Sequence, residues 1–221
     1  MSNNVIIVAA GEGIRFGHVK QFYSFQGRPL LLYALDPFEN SEEINKITIV
    51  VPNNKIAYTK GLVKKWRYKK IRYIISGGKR RQDSVLNGLK TITEKTGIVV
   101  IHDGIRPIVL TNMVKKGIKL CRKYKAVIPG IPIYDTIKQV NKNFVVSTIP
   151  RRSLYLIQTP QFYEINLIKN AYKKANLSID YTDEAAILES LRLPVYLFQG
   201  DRLNIKITEK TDLKILNKFL S

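Results

Sequence analysis

Residues that can bind phosphate follow the first apolar run of the chain. Val5–Val8 is a short, mostly β-branched stretch, typical of a strand that is buried on both faces. Gly11 and Gly13 come next, where a backbone without Cβ atoms can turn tightly and approach a ligand. Unpaired amide N–H groups in such a turn can bind phosphate oxygens, and Arg15 and Lys20 add positive charge beside it. We therefore predict a triphosphate-binding loop directly after the first strand.

Two common glycine loops do not match this stretch. The dinucleotide-binding fingerprint requires glycine at its sixth position, which, counted from Gly11, is Phe16. The P-loop requires a lysine and a serine or threonine after its last glycine, but Gly17 is followed by His18. A strand-to-helix turn that binds no ligand remains the alternative to a triphosphate loop.

A second glycine pair, which includes Gly78, follows the third predicted strand. Asp83 or Ser84 is expected to cap the helix that begins there. The hydroxyl of Ser84 could instead read the edge of a base, since it can both donate and accept a hydrogen bond. Arg80 and Arg81 could contact either phosphate or solvent. This region is therefore the second candidate for ligand binding.

Acidic and basic residues end the fourth predicted strand. Asp103 stands at its carboxyl end, where open α/β sheets bind their ligands, and it is a candidate for a metal ion or a sugar hydroxyl. Arg106 is a candidate for a phosphate. His102 has no partner at metal-ligand spacing, because the only other histidine is His18, so we interpret it as structural. Lys206 stands alone among apolar neighbours and either reaches water or points into a site.

The elements that position these residues alternate between strand and helix, which predicts an α/β fold with a mostly parallel, Rossmann-like sheet flanked by helices. The alternation breaks at Asp135–Val140 and Phe144–Ile149, two short strands around a three-residue turn, which predict a β-hairpin. The edges of a protruding hairpin need a cover, and a second copy of the chain is the simplest one. We expect a single domain over 1–221 with a hairpin arm over 135–152.

Element ends are predicted from prolines and capping residues. The helix that opens at Arg28-Pro29-Leu30 should stop near Asp36-Pro37. Thr182 should cap a later helix. Asn204–Thr208 is predicted to be a final short strand, before a terminal helix over Leu213–Leu220.

Bulk properties restrict the class of protein. The chain has 221 residues and a single cysteine, with no apolar run of membrane-spanning length and no signal-peptide layout, which favours a cytoplasmic protein without disulfides. Its formal net charge of +20 could reflect binding to nucleic acid, to an anionic membrane or to anionic small substrates, or simply a solvated lysine surface. A basic nucleic-acid-binding protein therefore stays a remote alternative, although no nucleic-acid-binding motif is present.

Seven motifs in register resemble the bacterial 2-C-methyl-D-erythritol 4-phosphate cytidylyltransferases, and the resemblance covers nearly the whole chain. They are AAGEGIRFG with Lys20-Gln21, GGKRRQDSVLNGL, HDGIRP, DTIK, QTPQFY, YTDEA and NIKIT. The resemblance implies a nucleotide-diphospho-sugar transferase type of fold. It also implies transfer of CMP from CTP to 2-C-methyl-D-erythritol 4-phosphate, with Mg²⁺ on the triphosphate and release of pyrophosphate.

The resemblance also implies roles for individual residues. The catalytic cations would be Arg15, Lys20, Arg151 and Lys206. The nucleotide would be bound by Ala9, Ala10, Gly11, Gly13, Gly78 and Ser84. The polyol phosphate would be held by Asp103, Arg106, Thr136 and Thr159. Thr136 and Arg151 fall on the arm, which in the family interlocks two subunits, so each active site would be shared in a homodimer. The metal ligands stay unknown, with Asp103 as a candidate.

Several positions depart from the expected family pattern, among them Phe16, Lys79 and Gly104-Ile105. They affect base or ribose contacts rather than the predicted cations. Ribitol 5-phosphate cytidylyltransferase is the nearest alternative, and the TDEA stretch together with the spacing of the GGxxRxxSV motif favours the methylerythritol enzyme.

Overall fold

The computed structural model describes residues 2–11 and 19–220, without the side chains of residues 219 and 220. Its strands are β1 (Ser2–Val8), β2 (Ser24–Phe25), β3 (Arg28–Pro29), β4 (Lys46–Val51), β5 (Ile71–Ser76), β6 (Gly97–Asp103), β7 (Ala126–Pro132), β8 (Ile137–Asn141), β9 (Phe144–Ile149), β10 (Tyr155–Ile157), β11 (Gln161–Glu164) and β12 (Tyr196–Gln199). Its α-helices are α1 (Leu30–Glu39), α2 (Ile56–Lys65), α3 (Arg81–Lys90), α4 (Thr111–Tyr124), α5 (Ile165–Lys174), α6 (Glu184–Ser190) and α7 (Asp212–Leu220).

One mixed, mostly parallel sheet organises the part of the chain that the structure describes. Its strand order is β10-β7-β11-β6-β1-β4-β5, and β12 pairs with β7. The pairs β6–β1, β1–β4, β4–β5 and β12–β7 are parallel, whereas β10 and β11 run antiparallel to their neighbours. The predicted fold class, a mostly parallel sheet flanked by helices, is confirmed.

Helices cover both faces of the sheet, as the apolar central strands require. Side chains alternate along β1, so Val5 and Ile7 join one core while Ile6 joins the other. The first core includes residues of α1, α2 and α4, and the second includes residues of α3, α5 and α6. Ile6 and Ile7 are 0% exposed, and each such burial stabilises the fold by about 1.5–3 kcal/mol.

The predicted hairpin is present as a separate two-stranded sheet of β8 and β9. Its turn is shorter than predicted, because Asn141 pairs with Phe144 and leaves two residues in the loop. Lys142 and Asn143 both have positive φ, of 43° and 71°, as a two-residue turn between right-twisted strands requires.

A third, smaller core attaches α7 near the start of the chain. It joins Phe25 and Leu30 to Ile207 and Leu216. This packing fixes the segment that precedes α7, which carries Lys206.

Two predicted helix boundaries and one predicted strand were wrong. Helix α1 continues through Pro37 to Glu39, since the proline removes one hydrogen bond while the last turn buries Phe38 completely. Asp183, rather than Thr182, caps α6 by accepting from the N–H of Ala186 at 3.0 Å. Residues 204–208 are not a strand, although the N–H of Ile207 bonds the carbonyl of Ile105.

None of the described helices combines the length and the apolar character that crossing a bilayer would require.

Candidate active site

The candidate site lies at the carboxyl end of the central parallel strands. Asp103 is the last residue of β6, and the register of the sheet places it beside Val8, the last residue of β1. The predicted nucleotide loop begins at Ala9, so both predicted binding regions start from the same edge of the sheet. This edge is where α/β folds bind ligands.

Three cations surround the buried carboxylate of Asp103. The ammonium of Lys206 lies 3.0 Å from Oδ2, and Nε of Arg81 donates to Oδ1 at 3.2 Å. Nε of Arg106 lies 3.8 Å from Oδ2. Burial disfavours the charge of Asp103, but the three cations outweigh it and hold the pKa of this carboxyl well below its usual range. Asp103 is therefore ionised at neutral pH.

Arg81 is itself held between two carboxylates. Its Nη1 donates to both oxygens of Glu184, at 2.8 and 2.9 Å, while its Nε contacts Asp103. Glu184 is completely buried and also accepts from the hydroxyl of Tyr172 at 3.2 Å. Burial raises the pKa of Glu184, and the ion pair with Arg81 offsets this only in part. Arg81, for which the sequence left phosphate or solvent open, thus contacts carboxylates.

A chain of hydrogen bonds fixes the backbone around Asp103. The N–H of Asp103 donates to the Thr159 hydroxyl at 3.0 Å, and that hydroxyl also bonds Nδ1 of His102 at 3.0 Å. The other ring nitrogen of His102 bonds the carbonyl of Arg106 at 3.0 Å. Because a carbonyl only accepts, Nε2 of His102 carries the proton, and Nδ1 accepts from Thr159. Burial lowers the pKa of His102 to about 4, so the ring is neutral and structural, as its sequence context predicted.

Asp103, Arg106, Thr159 and Lys206 line one polar cavity of about 180 Å³, together with Arg81. The structure therefore brings together four residues that the resemblance assigned to the polyol phosphate or to catalysis, although they come from three separate parts of the chain. The remaining lining residues are Ile157, Gln158, Gln161, Thr182 and Asp183.

The predicted nucleotide region consists of two loops that touch. Gln21 donates from Nε2 to the carbonyl of Ala9 at 2.6 Å and to that of Gly11 at 2.9 Å, which fixes the described start of the loop after β1. Gly77 packs directly against Ala10, where any Cβ would overlap the alanine side chain. The chain thus places Ala9, Ala10 and Gly11 beside the glycine pair that precedes α3.

Ser84 lies inside α3 rather than capping it. Arg80 is the N-cap, and the Asp83 carboxylate accepts from the N–H of Arg80 at 3.1 Å. The hydroxyl of Ser84 accepts from the N–H of Gly78 at 3.0 Å and donates to the carbonyl of Arg80 at 3.2 Å. The predicted cap at Asp83 or Ser84 was therefore wrong, because the helix begins two residues before Asp83 and Ser84 fastens the glycine turn to it.

Other predicted residues lie elsewhere. Gly13 and Arg15 fall outside the described residues. Lys20 begins a short 3₁₀ turn and is one of the groups that affect the pKa of Asp212, at the start of α7. Thr136 and Arg151 are exposed at the base of the hairpin, where the Arg151 guanidinium donates to the carbonyl of Tyr134. Neither lines the cavity around Asp103.

Asp103, the candidate metal ligand, already makes other contacts. Both oxygens of Asp103 already contact cations, so this carboxylate does not fit as a Mg²⁺ ligand. Across residues 2–11 and 19–220, no group of three or more histidine, cysteine or acidic side chains could hold a metal ion.

Among the residues to which sequence reasoning gave no role in the site are Glu184, which pairs with Arg81, and Gln21, which bonds the loop after β1. Glu184 lies within the YTDEA motif and Gln21 directly follows Lys20, so both stand in stretches that the resemblance singled out.

A larger, open cavity of about 480 Å³ lies between α2 and β5, lined by basic and apolar side chains. None of the predicted site residues lines it, and we therefore take the smaller cavity as the candidate site.

Comparisons with known proteins find relatives over almost the whole chain. The family model described as IspD, 2-C-methyl-D-erythritol 4-phosphate cytidylyltransferase, matches residues 4–221. A relative of that description from Dictyoglomus thermophilum is 39% identical over 98% of this chain and 95% of its own length. One from Clostridium perfringens is 42% identical over 97% of each chain. The crystal structure of the Francisella tularensis protein of that name is 32% identical, with a TM-score of 0.84 and complete coverage of both chains.

Proposed function

Since the chain belongs to the 2-C-methyl-D-erythritol 4-phosphate cytidylyltransferase family, we propose that the cavity around Asp103 binds the polyol phosphate and the loops around Ala9 and Gly78 bind CTP. The protein is a nucleotidyltransferase that transfers CMP from CTP to 2-C-methyl-D-erythritol 4-phosphate, in non-mevalonate isoprenoid biosynthesis. The observation that carries the site assignment is the set of three cations around Asp103, in a cavity at the sheet edge that also carries the nucleotide loops.

The cavity has a charge that suits a phosphate. Among the residues that line it, Arg81, Arg106 and Lys206 contribute three positive charges, and Asp103 and Asp183 contribute two negative ones, which leaves one net positive charge. The Lys206 side chain is 41% exposed, so its ammonium can reach an incoming phosphate while Asp103 orients it. The polyol phosphate attacks the α-phosphorus of CTP in line, and the bond to the pyrophosphate breaks. Positioned cations stabilise the charge that develops on the phosphate oxygens.

The two nucleotide loops favour one orientation of CTP. Gly78 and Ser84 lie at the start of α3, and the bond between them holds the glycine turn in a fixed shape. Gln21 occupies the carbonyls of Ala9 and Gly11, and the N–H of Ala9 donates to the carbonyl of Val50 at 2.8 Å, so the described start of this loop is held against the sheet. We propose that the base lies against the glycine turn and that Lys20, together with Arg15, contacts the triphosphate.

Enzymes of this kind generally require a metal ion. Because the described residues form no cage for one, we propose that Mg²⁺ is bound mainly by the triphosphate and enters with CTP. Bound there, the ion would neutralise phosphate charge.

The hairpin supports a homodimer. Phe144 is 78% exposed, and Val140, Val145 and Val146 are 54–62% exposed, an apolar surface that nothing in the described part of this chain covers. We propose that the arm packs on a second copy and carries Thr136 and Arg151 to the partner's cavity. A cytoplasmic location stays a prediction from the composition.

The decisive experiment is a Lys206→Ala variant assayed for pyrophosphate release from CTP with 2-C-methyl-D-erythritol 4-phosphate. Loss of a catalytic cation should lower turnover a hundredfold or more, about 2.7–4 kcal/mol of barrier. Lys210→Ala, which removes an exposed lysine four residues away, is the matched control and should keep full activity.

Full activity of a folded Lys206→Ala variant would refute the assignment of the cavity. The same assay with ribitol 5-phosphate tests the alternative substrate. We expect the methylerythritol phosphate to be turned over much faster.

A further inference from the structure

Glu184 is a buried acid to which the reaction so far gives no role. It is the first residue of α6 and is 0% exposed. Arg81 forms an ion pair with Glu184 and another with Asp103, so it links the two carboxylates. Burying a carboxylate is costly, and burial raises the pKa of this one. Because burying Glu184 costs the fold free energy, we looked for its role in the active site.

The contacts divide the two oxygens of Asp103 between different cations. Oδ1 accepts from Nε of Arg81 at 3.2 Å, while Oδ2 is 3.0 Å from Lys206 and 3.8 Å from Arg106. Arg81 thus uses only one N–H on Asp103. Its Nη1 is directed to the two oxygens of Glu184, at 2.8 and 2.9 Å.

This division is not the arrangement that an arginine prefers with a single carboxylate. A guanidinium and a carboxylate tend to pair through two parallel hydrogen bonds. Nη2 of Arg81 is buried and makes no hydrogen bond to any described residue, so this nitrogen is free to form the second bond. Without Glu184, Arg81 would therefore close on both oxygens of Asp103 and compete with Lys206 for Oδ2.

We propose that Glu184 is a positioning residue that restrains Arg81 and so reserves Oδ2 of Asp103 for Lys206. The inference rests on the proposed role of Lys206 in binding the polyol phosphate. Glu184 contacts neither the cavity nor Lys206 directly, and it acts through the guanidinium of Arg81.

The test is the Glu184→Gln variant, which keeps the shape of the side chain and removes its charge. We expect the KM for 2-C-methyl-D-erythritol 4-phosphate to rise by roughly tenfold, the equivalent of one charge-assisted hydrogen bond, while the KM for CTP stays unchanged. Glu189→Gln, an exposed position on the same helix, is the control and should leave both constants unchanged.

A second substitution separates positioning from a merely structural role. Lysine presents a single ammonium and cannot pair with both oxygens of Asp103 in the way that arginine does. Adding Arg81→Lys to Glu184→Gln should therefore bring the KM for the polyol phosphate back toward the wild-type value. If Glu184 only stabilised the fold, the double variant would be worse than the single one.

The outcomes are distinct. A folded Glu184→Gln enzyme with an unchanged KM for the polyol phosphate, or a double variant no better than the single one, would overturn the proposal. If Glu184→Gln does not fold, Glu184→Asp keeps the charge but withdraws it from Arg81, and it should raise the same KM about threefold, whereas an unchanged value contradicts the proposal. If Lys206→Ala is fully active, the site assignment itself fails, independently of Glu184.

Discussion

Replacing Asp103 by asparagine removes the negative charge that three cations share, and its cost can be worked out from the contacts. Removing one partner of a buried ion pair typically costs about 3–5 kcal/mol, because the other charge stays buried without compensation. In the variant, the charges of two of the three cations stay compensated. The Lys206 side chain is 41% exposed to water, and Arg81 retains its ion pair with Glu184. The uncompensated charge therefore falls mainly on Arg106, whose side chain is only 11% exposed.

We accordingly expect Asp103→Asn to lower the free energy of unfolding by about 3 kcal/mol, the lower end of that range. For a domain of this size, each kcal/mol shifts Tm by about 2–4 °C, so Tm should fall by about 6–12 °C. Thermal unfolding at pH 7, followed by circular dichroism, measures this shift. Glu42→Gln, which removes an exposed carboxylate, is the control and should leave Tm within about 2 °C of the wild type.

The pH dependence gives an independent check. The pKa of Asp103 is lower in the folded protein than in the unfolded chain, so its contribution to stability is present above the unfolded pKa, about 4, and is lost as the pH falls further. The Tm difference between wild type and Asp103→Asn should therefore be constant from pH 7 to 5 and shrink below pH 4. A variant as stable as the wild type at pH 7 would refute the proposed charge cluster.

Two further predictions concern the metal and the arm. Removing divalent ions with EDTA should stop pyrophosphate release. It should leave Tm unchanged in the absence of CTP, because the described residues form no metal site. A drop in Tm would point to a metal bound by the protein itself. If the arm forms the proposed homodimer, Phe144→Asp, which places a charge on it, should shift the protein from dimer to monomer in analytical ultracentrifugation and abolish activity, whereas Lys142→Asp in the adjacent turn should do neither. An active monomer would contradict a shared site.

Local patterns were sufficient where the physical cause is local. The β-branched run of β1 predicted a strand buried on both faces, and the turn residues before Phe144 predicted the hairpin. The end of β6 placed Asp103 at the ligand edge, because the carboxyl ends of parallel strands meet there. The resemblance then indicated that Thr159 and Lys206 belong to the same site, although each stands far from Asp103 in the chain.

Other features were not predictable from local composition, because tertiary packing or the exact start of a helix decided them. Strand β11 inserts antiparallel between β6 and β7, which no local periodicity indicates. Ser84 looked like a helix cap but fastens the glycine turn at Gly78, since the helix begins earlier than its capping residues suggested.

By itself, the sequence determined the alternation of strand and helix that builds most of the sheet, the hairpin and the charged residue at the end of β6, because backbone propensity and side-chain chemistry are carried by neighbouring residues. Only the tertiary structure decided which charges meet. Arg81 and Glu184 are 103 positions apart and become an ion pair because α3 and α6 pack on the same face of the sheet. Electrostatic energy depends on distance in space and on burial, and a linear pattern specifies neither.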